Sequence, residues 1–185
     1  MADSITVEIR GLKELQDQLA TLGQKVQSRV MRGAVASAAF VIRDEAKLIA
    51  PEYTGPVQAG HPPPGTLKRA IYAARLASQC TASVEAWLVS VRRGKKARNH
   101  TSGGVTSNQD AYYATWVEYG HFTRTPGTTR KEHRLAVKTG VALSMGAKWV
   151  PANSYMRKAF EVKKYEAVEV FRKYVNEKVT ELVKR

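Results

Sequence analysis

The chain has 185 residues, 43% of them hydrophobic, and 30 Lys and Arg against 16 Asp and Glu give it a formal net charge of +14. The length suits one compact domain, and the hydrophobic fraction excludes a wholly disordered chain. No apolar run approaches the roughly 20 residues that span a bilayer, and the single Cys80 excludes an internal disulfide or a cysteine-based metal site. We expect cytoplasmic synthesis and attraction to polyanions or acidic protein surfaces.

The first fifty residues predict a strand and two helices. Residues 5–9 alternate apolar and polar side chains, which indicates a half-buried strand, and leucines at helical spacing predict a short helix over residues 12–22. A longer helix is predicted from about Lys25 to Ile49, where apolar and small residues recur at helical spacing. Pro51 ends it, because proline cannot continue a helix.

Residues 51–92 predict a loop followed by two strands. The loop from Pro51 to Gly65 contains three consecutive prolines, which favour a stiff polyproline conformation that loses little entropy on docking. Residues 67–76 and 82–92 alternate as strands joined by a short turn. Both faces of the second strand carry apolar groups, so we expect it to be covered on both sides.

The second half of the chain alternates unpatterned and helical stretches. Residues 94–109 predict a polar, mobile loop, and residues 122–150 a second long basic region with weak periodicity. Between them, an aromatic helix is predicted over residues 111–119, ended by Gly120. A final helix is predicted from about Asn153 to Val183, with Asn153 or Ser154 capping its first turn.

These elements predict an α+β fold. A small antiparallel sheet packs against a long helix in the N-terminal half and a long C-terminal helix, with extended loops. We predict one domain over residues 1–185, with loop insertions at about 51–66, 93–110 and 121–150.

Three separated stretches of the sequence resemble one family. They are Gly11–Leu15 before the alanine-rich helix, Ala50–Gly55 continued at Leu67–Ile71, and Tyr113–Gly120 with the later Val150–Phe160. Their order and spacing are similar to those of the small neck or tail-completion proteins of long-tailed bacteriophages, including the minor tail protein Z type. The ordered set carries the resemblance, since no single stretch is specific.

The chain departs from the family pattern at three places, each of which bears on a loop. Residues 56–65 interrupt the Thr-Gly turn, and Gly120-His121 stands where the family has Gly-Thr. Ser154-Tyr155 replaces the usual proline and aromatic pair. The departures leave the family resemblance in place and alter the detailed loop contacts that it implies.

The resemblance implies a structural virion protein without catalytic activity, cofactor, small-molecule substrate or membrane contact. It would form a homo-oligomeric ring, six- or twelve-fold, at the head–tail junction. One side would contact connector or head-closure proteins, and the other would contact tail-terminator or tail-tube proteins. Double-stranded DNA would pass through or near the ring, so the basic loops would face either DNA or an acidic neighbouring protein.

Two sets of residues are predicted to make these contacts. The predicted interface with other copies or partner proteins combines the aromatic helix, the triple proline and the start of the last helix: Pro62, Pro63, Pro64, Tyr113, Trp116, Glu118, Tyr119, Tyr155, Met156 and Arg157. The predicted contact with DNA or an acidic partner consists of basic residues: Arg92, Arg93, Lys95, Lys96, Arg98, Arg130, Lys131 and Arg134.

Three other interpretations compete with this one. A non-sequence-specific nucleic-acid-binding protein would use the basic loops on the duplex backbone. A metal or acid–base site would combine Glu118, His121 and His133, and a small nuclease would use the first two, but their spacing matches no metal motif. Glu118 is more simply structural. A carboxylate at a helix C-terminus opposes the dipole, so a basic partner is expected, for example across a subunit interface.

Overall fold

The computed structural model describes residues 24–54, 62–81, 84–102, 104–123, 129–139 and 147–183. The strand and helix predicted over residues 5–22 lie outside them. The described residues divide into two compact units. One comprises those within Met1–Ile42, Ala73–Val89 and Val162–Arg185, and the other those within Arg43–Tyr72 and Ser90–Glu161. Within this part of the chain, no helix is long and apolar enough to cross a membrane.

The described helices are α1 (Gln24–Ile49), α2 (Thr66–Ala70), α3 (Lys95–Arg98), α4 (Ala114–Tyr119), α5 (Arg130–Thr139) and α6 (Tyr155–Val183). The strands are β1 (Ile71–Arg75), β2 (Trp87–Val91), β3 (His100–Ser102), β4 (Val105–Ser107), β5 (His121–Phe122) and β6 (Trp149–Val150). They pair as β1–β2, β3–β4 and β5–β6. Long helices with small antiparallel ribbons confirm the predicted α+β class.

The first unit is held together by α1 and α6. Val30 and Ala34 of α1 and Val175 of α6 form a buried cluster, flanked by partly buried apolar side chains: Val26, Met31, Phe171, Tyr174, Val179 and Leu182. These positions recur every three or four residues, so each helix presents one apolar stripe. The predicted long helices are therefore confirmed, because burial of a stripe stabilises helices of this length.

Truncating the centre of this cluster tests the helix pairing. Val175 is completely buried, so Val175→Ala is expected to cost about 2 kcal/mol through lost burial and a residual cavity. Denaturant unfolding measures this cost. Val162→Ala on the same helix is the matched control, since Val162 is 64% exposed, and it should change the free energy of unfolding by less than about 0.5 kcal/mol. Equal costs for the two variants would contradict the pairing.

The first unit also contains residues 73–75 of β1 and 87–89 of β2. The Leu76 N–H donates to the Ala86 carbonyl at 2.9 Å beside the ribbon. Arg75 binds Glu85 with both ends of its guanidinium, Nε to Oε1 at 2.5 Å and Nη2 to Oε2 at 2.9 Å. The hydrogen bond from Arg75 lowers the pKa of Glu85. The bidentate pair links the chain on either side of the turn between β1 and β2.

The predicted cover on both faces of the second strand is wrong. Leu88 of β2 is 38% exposed, and the other four residues of the strand are only half-buried. Phe40 of α1 packs edge-on against Trp87, with ring centroids 5.8 Å apart. The alternating apolar residues of this segment therefore predict a strand correctly, but they do not predict that both of its faces are buried.

The strand predicted over residues 67–76 begins later than expected, because residues 66–70 form α2. The Pro63 carbonyl accepts hydrogen bonds from the Thr66 N–H at 3.2 Å and the Thr66 hydroxyl at 2.6 Å. Gly65 adopts a φ of 73°, which turns the chain into the helix. A helical turn buries both Leu67 and Ala70, three residues apart, which a strand would direct to opposite faces.

Both long regions predicted as loops contain secondary structure in the second unit. Residues 94–109 hold α3 and the β3–β4 hairpin, and buried Ala97 anchors α3 while its carbonyl accepts the Gln109 N–H at 2.8 Å. Residues 122–150 hold α5, which packs against β5. Thr129 and Glu132 cap α5 reciprocally, since each backbone N–H donates to the other side chain, at 2.8 and 3.3 Å.

Candidate functional site

The candidate site in the second unit starts at Gly120, which ends α4. Its φ of 76° and ψ of 167° lie in a region open to glycine. A Cβ atom there would stand 2.6 Å from Cζ2 of Trp149 and 2.8 Å from the Val150 carbonyl oxygen. The backbone can therefore turn directly from α4 into β5, where His121 pairs with Val150 and Phe122 with Trp149.

Glu118, in the last turn of α4, caps the N-terminus of α6. Its Oε2 accepts the Met156 N–H at 2.9 Å, and its Oε1 accepts the Arg157 N–H at 3.3 Å. Those amides belong to the first turn of α6, where backbone donors have no partner within the helix and a carboxylate is favoured by the dipole. Arg157 Nε also donates to Oε1 at 3.2 Å. The expected basic partner of Glu118 is thus Arg157 of the same chain.

The segment before α6 caps α4 in return. The Asn153 N–H donates to the Val117 carbonyl at 2.7 Å, and the Ser154 hydroxyl donates to the Glu118 carbonyl at 3.1 Å. The prediction that Asn153 or Ser154 caps α6 with its side chain is wrong, because the carboxylate of Glu118 takes that role. We call this reciprocal contact between the end of α4 and the start of α6 the helix junction.

Tyr155, the first residue of α6, is buried at the helix junction. Its side chain is 1% exposed, and burial, followed by the charge of Glu118, raises its pKa. Burial also raises the pKa of Tyr113, which lies just before α4. Both phenols therefore stay neutral. Of the predicted interface residues, Tyr155 and Glu118 are buried within the chain.

Exposed rings surround the helix junction. Tyr119 is 60% exposed, Trp149 49% and Tyr112 45%. Tyr112 stacks edge-on against Trp116 with centroids 5.9 Å apart. We define the aromatic patch by these four residues and the exposed Val150. The guanidinium of Arg157 lies 5.0 Å from the centroid of the Tyr119 ring, which links the patch to the junction.

The predicted basic residues 92–98 are held in place by Asp110, which is 3% exposed. Its Oδ1 accepts the Gly94 N–H at 2.7 Å, and its Oδ2 accepts Arg98 Nε at 2.9 Å. Burial alone would raise the pKa of Asp110, but the hydrogen bonds from Gly94 and Arg98 and the charge of Arg98 lower it. Arg98 is therefore engaged within the chain through its Nε, while its side chain remains 63% exposed.

The lowered pKa of Asp110 predicts acid sensitivity. The ionised carboxylate stabilises the folded protein above its ordinary pKa of 3.8, and this contribution disappears as the pH falls through the lower folded-state pKa. Asp110→Asn is expected to cost about 2 kcal/mol at neutral pH. The difference from the parent protein should shrink below about pH 4. Thermal unfolding across pH measures it.

Asp44→Asn is the control for this prediction. The hydrogen bond from Arg43 also lowers the pKa of Asp44, but the Asp44 side chain is 59% exposed. Its loss should cost less than about 0.5 kcal/mol, as for other exposed ion pairs. A difference between Asp110→Asn and the parent that stayed constant from neutral to acid pH would contradict the assignment.

The other predicted basic residues divide into engaged and exposed side chains. Arg92 lies 4.5 Å from the ring centroid of Tyr72, and Arg93 Nη1 donates to the Thr115 hydroxyl at 3.0 Å. Arg93 is also exposed, and the remaining exposed side chains are Lys95, Lys96, Lys131 and Arg134. Arg130 begins α5, and its side chain lies outside the described part. The second unit holds 17 Lys and Arg against 7 Asp and Glu, a net charge of +10.

The helix junction brings together only some of the predicted interface residues. Glu118, Met156, Arg157 and Tyr119 meet there. Pro62, Pro63 and Pro64 instead lead into α2, where the Pro63 carbonyl is held by Thr66 and the Pro64 carbonyl accepts Arg69 Nη2 at 3.1 Å. The triple proline is thus fixed at its C-terminal end by α2.

Sequence reasoning missed Trp149, Val150 and the role of Asp110. Trp149-Val150 was visible as an apolar pair between a basic residue and Pro151, but two residues are too few for a periodicity. The capping box Thr129-x-x-Glu132 was also visible in the sequence, and it predicts the start of α5 directly.

The alternative metal site finds little support in this geometry. Both carboxylate oxygens of Glu118 accept hydrogen bonds from α6, and the ring of His121 stacks against Trp116 with centroids 5.6 Å apart. The side chain of His133 lies outside the described part. Among the residues whose side chains the structure describes, no three His, Cys, Asp or Glu form a group that could hold a metal ion.

Comparison with known proteins identifies a family. Residues 13–120, more than half of the chain, match the family described as "Bacteriophage HK97-gp10, putative tail-component". No curated protein and no solved structure matches the chain. The matched residues run from the predicted N-terminal helix to Gly120, so they include α4 and Glu118, while Trp149 and α6 lie beyond them. The chain belongs to the HK97-gp10-like family of bacteriophage tail components.

Proposed function

We propose that this chain is a non-enzymatic structural protein of the phage head–tail junction, which forms a homo-oligomeric ring joining connector or head-closure proteins to the tail. The observation that carries the proposal is the family match over residues 13–120, which makes the chain a phage tail component. A tail component interacts with other virion proteins and is located in the virion. We further propose synthesis in the host bacterial cytoplasm.

The aromatic patch supports the proposal. Soluble monomers rarely expose contiguous apolar surface, whereas interfaces are enriched in Tyr, Trp and Arg. Tyr119 and Trp149 flank Gly120, and Arg157 covers one face of the Tyr119 ring. The helix junction holds Arg157 against the Tyr119 ring, so less conformational entropy of these two side chains would be lost when a partner docks.

Mass measurement and electron microscopy of the purified protein test this proposal. The protein is examined alone and after mixing with the connector, head-closure and tail-terminator proteins of the same phage. We expect a closed ring of identical copies, or ring formation on contact with one of these partners. A protein that stays strictly monomeric and joins no particle would contradict the proposal.

Duplex DNA binding through the exposed basic side chains of the second unit, which we call the basic surface, is a second candidate function. The net charge of +10 in the second unit and the exposed side chains of Lys95, Lys96, Lys131 and Arg134 favour it. The three acids among residues 92–138 are Asp110, Glu118 and Glu132, and each accepts backbone N–H groups of the same chain. Asp110 and Glu118 pair with Arg98 and Arg157, so neither of these two acids pairs with Lys95 or Lys96.

A salt titration with a short fluorescent duplex tests DNA binding. Contact with several phosphates predicts that the affinity falls steeply as salt rises, with a slope of about −0.9 per phosphate neutralised, and with little sequence preference. Lys95→Glu with Lys96→Glu should flatten the slope. Absence of binding at low salt would remove this candidate and leave an acidic protein as the partner of the basic surface.

A further inference from the structure

One cation contacts the aromatic patch, and another precedes it in the chain. Arg157 stacks on Tyr119 while its own side chain remains 55% exposed, and the exposed Lys148 directly precedes Trp149. The carboxylate closest in sequence, that of Glu118, is buried and bonded to α6. The patch therefore combines exposed rings with two exposed cations, of which Arg157 is paired with the buried Glu118 and Lys148 is not.

A second region of positive charge adjoins the same ribbon. Helix α5 packs against β5 and carries the exposed side chains of Lys131 and Arg134. The only acid in α5, Glu132, is occupied in capping its first turn. The ribbon β5–β6, with Trp149 and Val150 exposed, thus has the cations of α5 packed beside β5, and Arg157 stacks on Tyr119, two residues before β5. A partner matching this surface would present apolar groups with acidic neighbours.

We propose that the aromatic patch, with the cations Arg157 and Lys148, is the docking site for an acidic segment of a different virion protein that inserts an apolar side chain between Tyr119 and Trp149. The proposal rests on the proposed function and specifies the partner of this surface. An apolar anchor would bury the exposed rings, while carboxylates beside it would pair with Arg157 and Lys148.

Charge argues against the two other possible occupants. A second copy of this chain has a net charge of +14, and the surrounding unit has +10, so two copies would repel each other through their net charges, most strongly patch against patch. A contact between the patch and a different surface of the next copy, as in a ring, would instead appear as loss of ring formation by a patch variant. Duplex DNA would satisfy the cations, but its bases are stacked inside and it presents phosphates to a protein surface. The exposed rings of Tyr119 and Trp149 would then stay in water. An acidic protein segment with an apolar side chain would both cover the exposed rings and pair with the cations.

A matched pair of double variants tests the docking site in the full-length protein. The test variant is Tyr119→Ser with Lys148→Glu. The control is Tyr165→Ser with Lys173→Glu on α6, because Tyr165 is 74% exposed, carries Lys164 at 5.4 Å from its ring centroid, and Lys173 is 78% exposed. The probes are the purified head-closure and tail-terminator proteins of the same phage, and a short DNA duplex. Dissociation constants are measured at low and high salt, together with oligomer mass.

The test variant is expected to lose at least about ten-fold in affinity for one of the two proteins, since a tyrosine anchor and a charge reversal both act on it. The control should bind as the parent protein does, and both variants should keep the parent's oligomer mass. The remaining binding should depend less on salt than that of the parent, because one rim cation has been reversed.

Three results would overturn the docking site and leave the proposed function standing. They are partner binding equal to that of the control, loss of ring formation by the test variant alone, and loss of duplex binding in place of protein binding. The second would assign the patch to contacts between copies, and the third to DNA. If the parent protein neither oligomerises nor binds either virion protein, the proposed function itself fails, and the docking site with it.

Discussion

Gly120→Ala is expected to destabilise the protein by about 3 kcal/mol, because the side chain meets both a conformational and a steric obstacle. The φ of 76° with ψ of 167° is nearly restricted to glycine, at a cost of about 1–3 kcal/mol for another residue. The added Cβ would also lie 2.8 Å from the Val150 oxygen and 3.0 Å from the Ala152 nitrogen. These are backbone atoms, and moving them disturbs the β5–β6 pairing. The melting temperature should fall by about 6–12 °C.

Gly33→Ala is the matched control for Gly120→Ala. Gly33 lies within α1, where alanine gains up to about 1 kcal/mol of helix propensity over glycine. Its Cβ would overlap the end of the Tyr174 side chain, 2.7 Å from Cε1, so this side chain, which packs against the buried cluster, would have to rotate away; the backbone at Gly120 has no such freedom. The gain in helix propensity offsets part of the cost, so Gly33→Ala should lose clearly less stability than Gly120→Ala. Denaturant unfolding of both variants measures the contrast, and equal losses would show that the turn at Gly120 is not strained by a side chain.

The long elements of the fold could be predicted because periodicity accumulates over many residues. Helix α1 was expected over residues 25–49 and spans Gln24–Ile49, and α6 was expected to start two residues before Tyr155. The short elements could not be predicted in this way. Helix α2 has five residues and each strand of the β5–β6 ribbon has two. Their formation depends on tertiary contacts, such as the carbonyl of Pro63 with Thr66, which no local pattern contains.

At the helix junction, too, the kind of interaction could be predicted from the sequence, but the residue that makes it could not. The sequence indicated that Glu118, at a helix C-terminus, requires positive neighbours. It did not indicate which, because Arg157 lies 39 residues further along the chain. Likewise, Trp149 joins the aromatic patch only through the turn at Gly120, which brings β6 beside β5. The type of interaction could be predicted from residue chemistry, while the partners required the fold.

Glu118→Ala is expected to destabilise the protein by about 3 kcal/mol, because it removes the cap of α6 and the partner of Arg157 together. Two amides of the first helical turn, those of Met156 and Arg157, lose their acceptor, and hydrogen bonds to a charged group contribute about 1.5–3 kcal/mol. Arg157 is 55% exposed, so water solvates it after the change and limits the further loss. Denaturant unfolding measures the effect.

Two variants separate capping from charge. Glu118→Gln keeps an acceptor for one amide but removes the negative charge, so it should lose about half as much stability as Glu118→Ala. Glu169→Gln on the exposed face of α6, where Glu169 pairs with Arg172 at 2.8 Å and is 67% exposed, should lose less than about 0.5 kcal/mol. If Glu118→Ala cost no more than Glu169→Gln, the helix junction would not be holding α4 to α6.

The helix junction also controls the position of Arg157 over Tyr119, so stability and docking are linked. In Glu118→Ala the guanidinium loses the carboxylate that fixes its Nε, and it should leave the Tyr119 ring more often. Partner binding is then expected to weaken at temperatures where the variant is still fully folded. Val175→Ala, which destabilises the first unit without touching the junction, should lower the melting temperature but leave partner affinity unchanged. A parallel loss of affinity in both variants would show that binding follows global stability rather than the placement of Arg157.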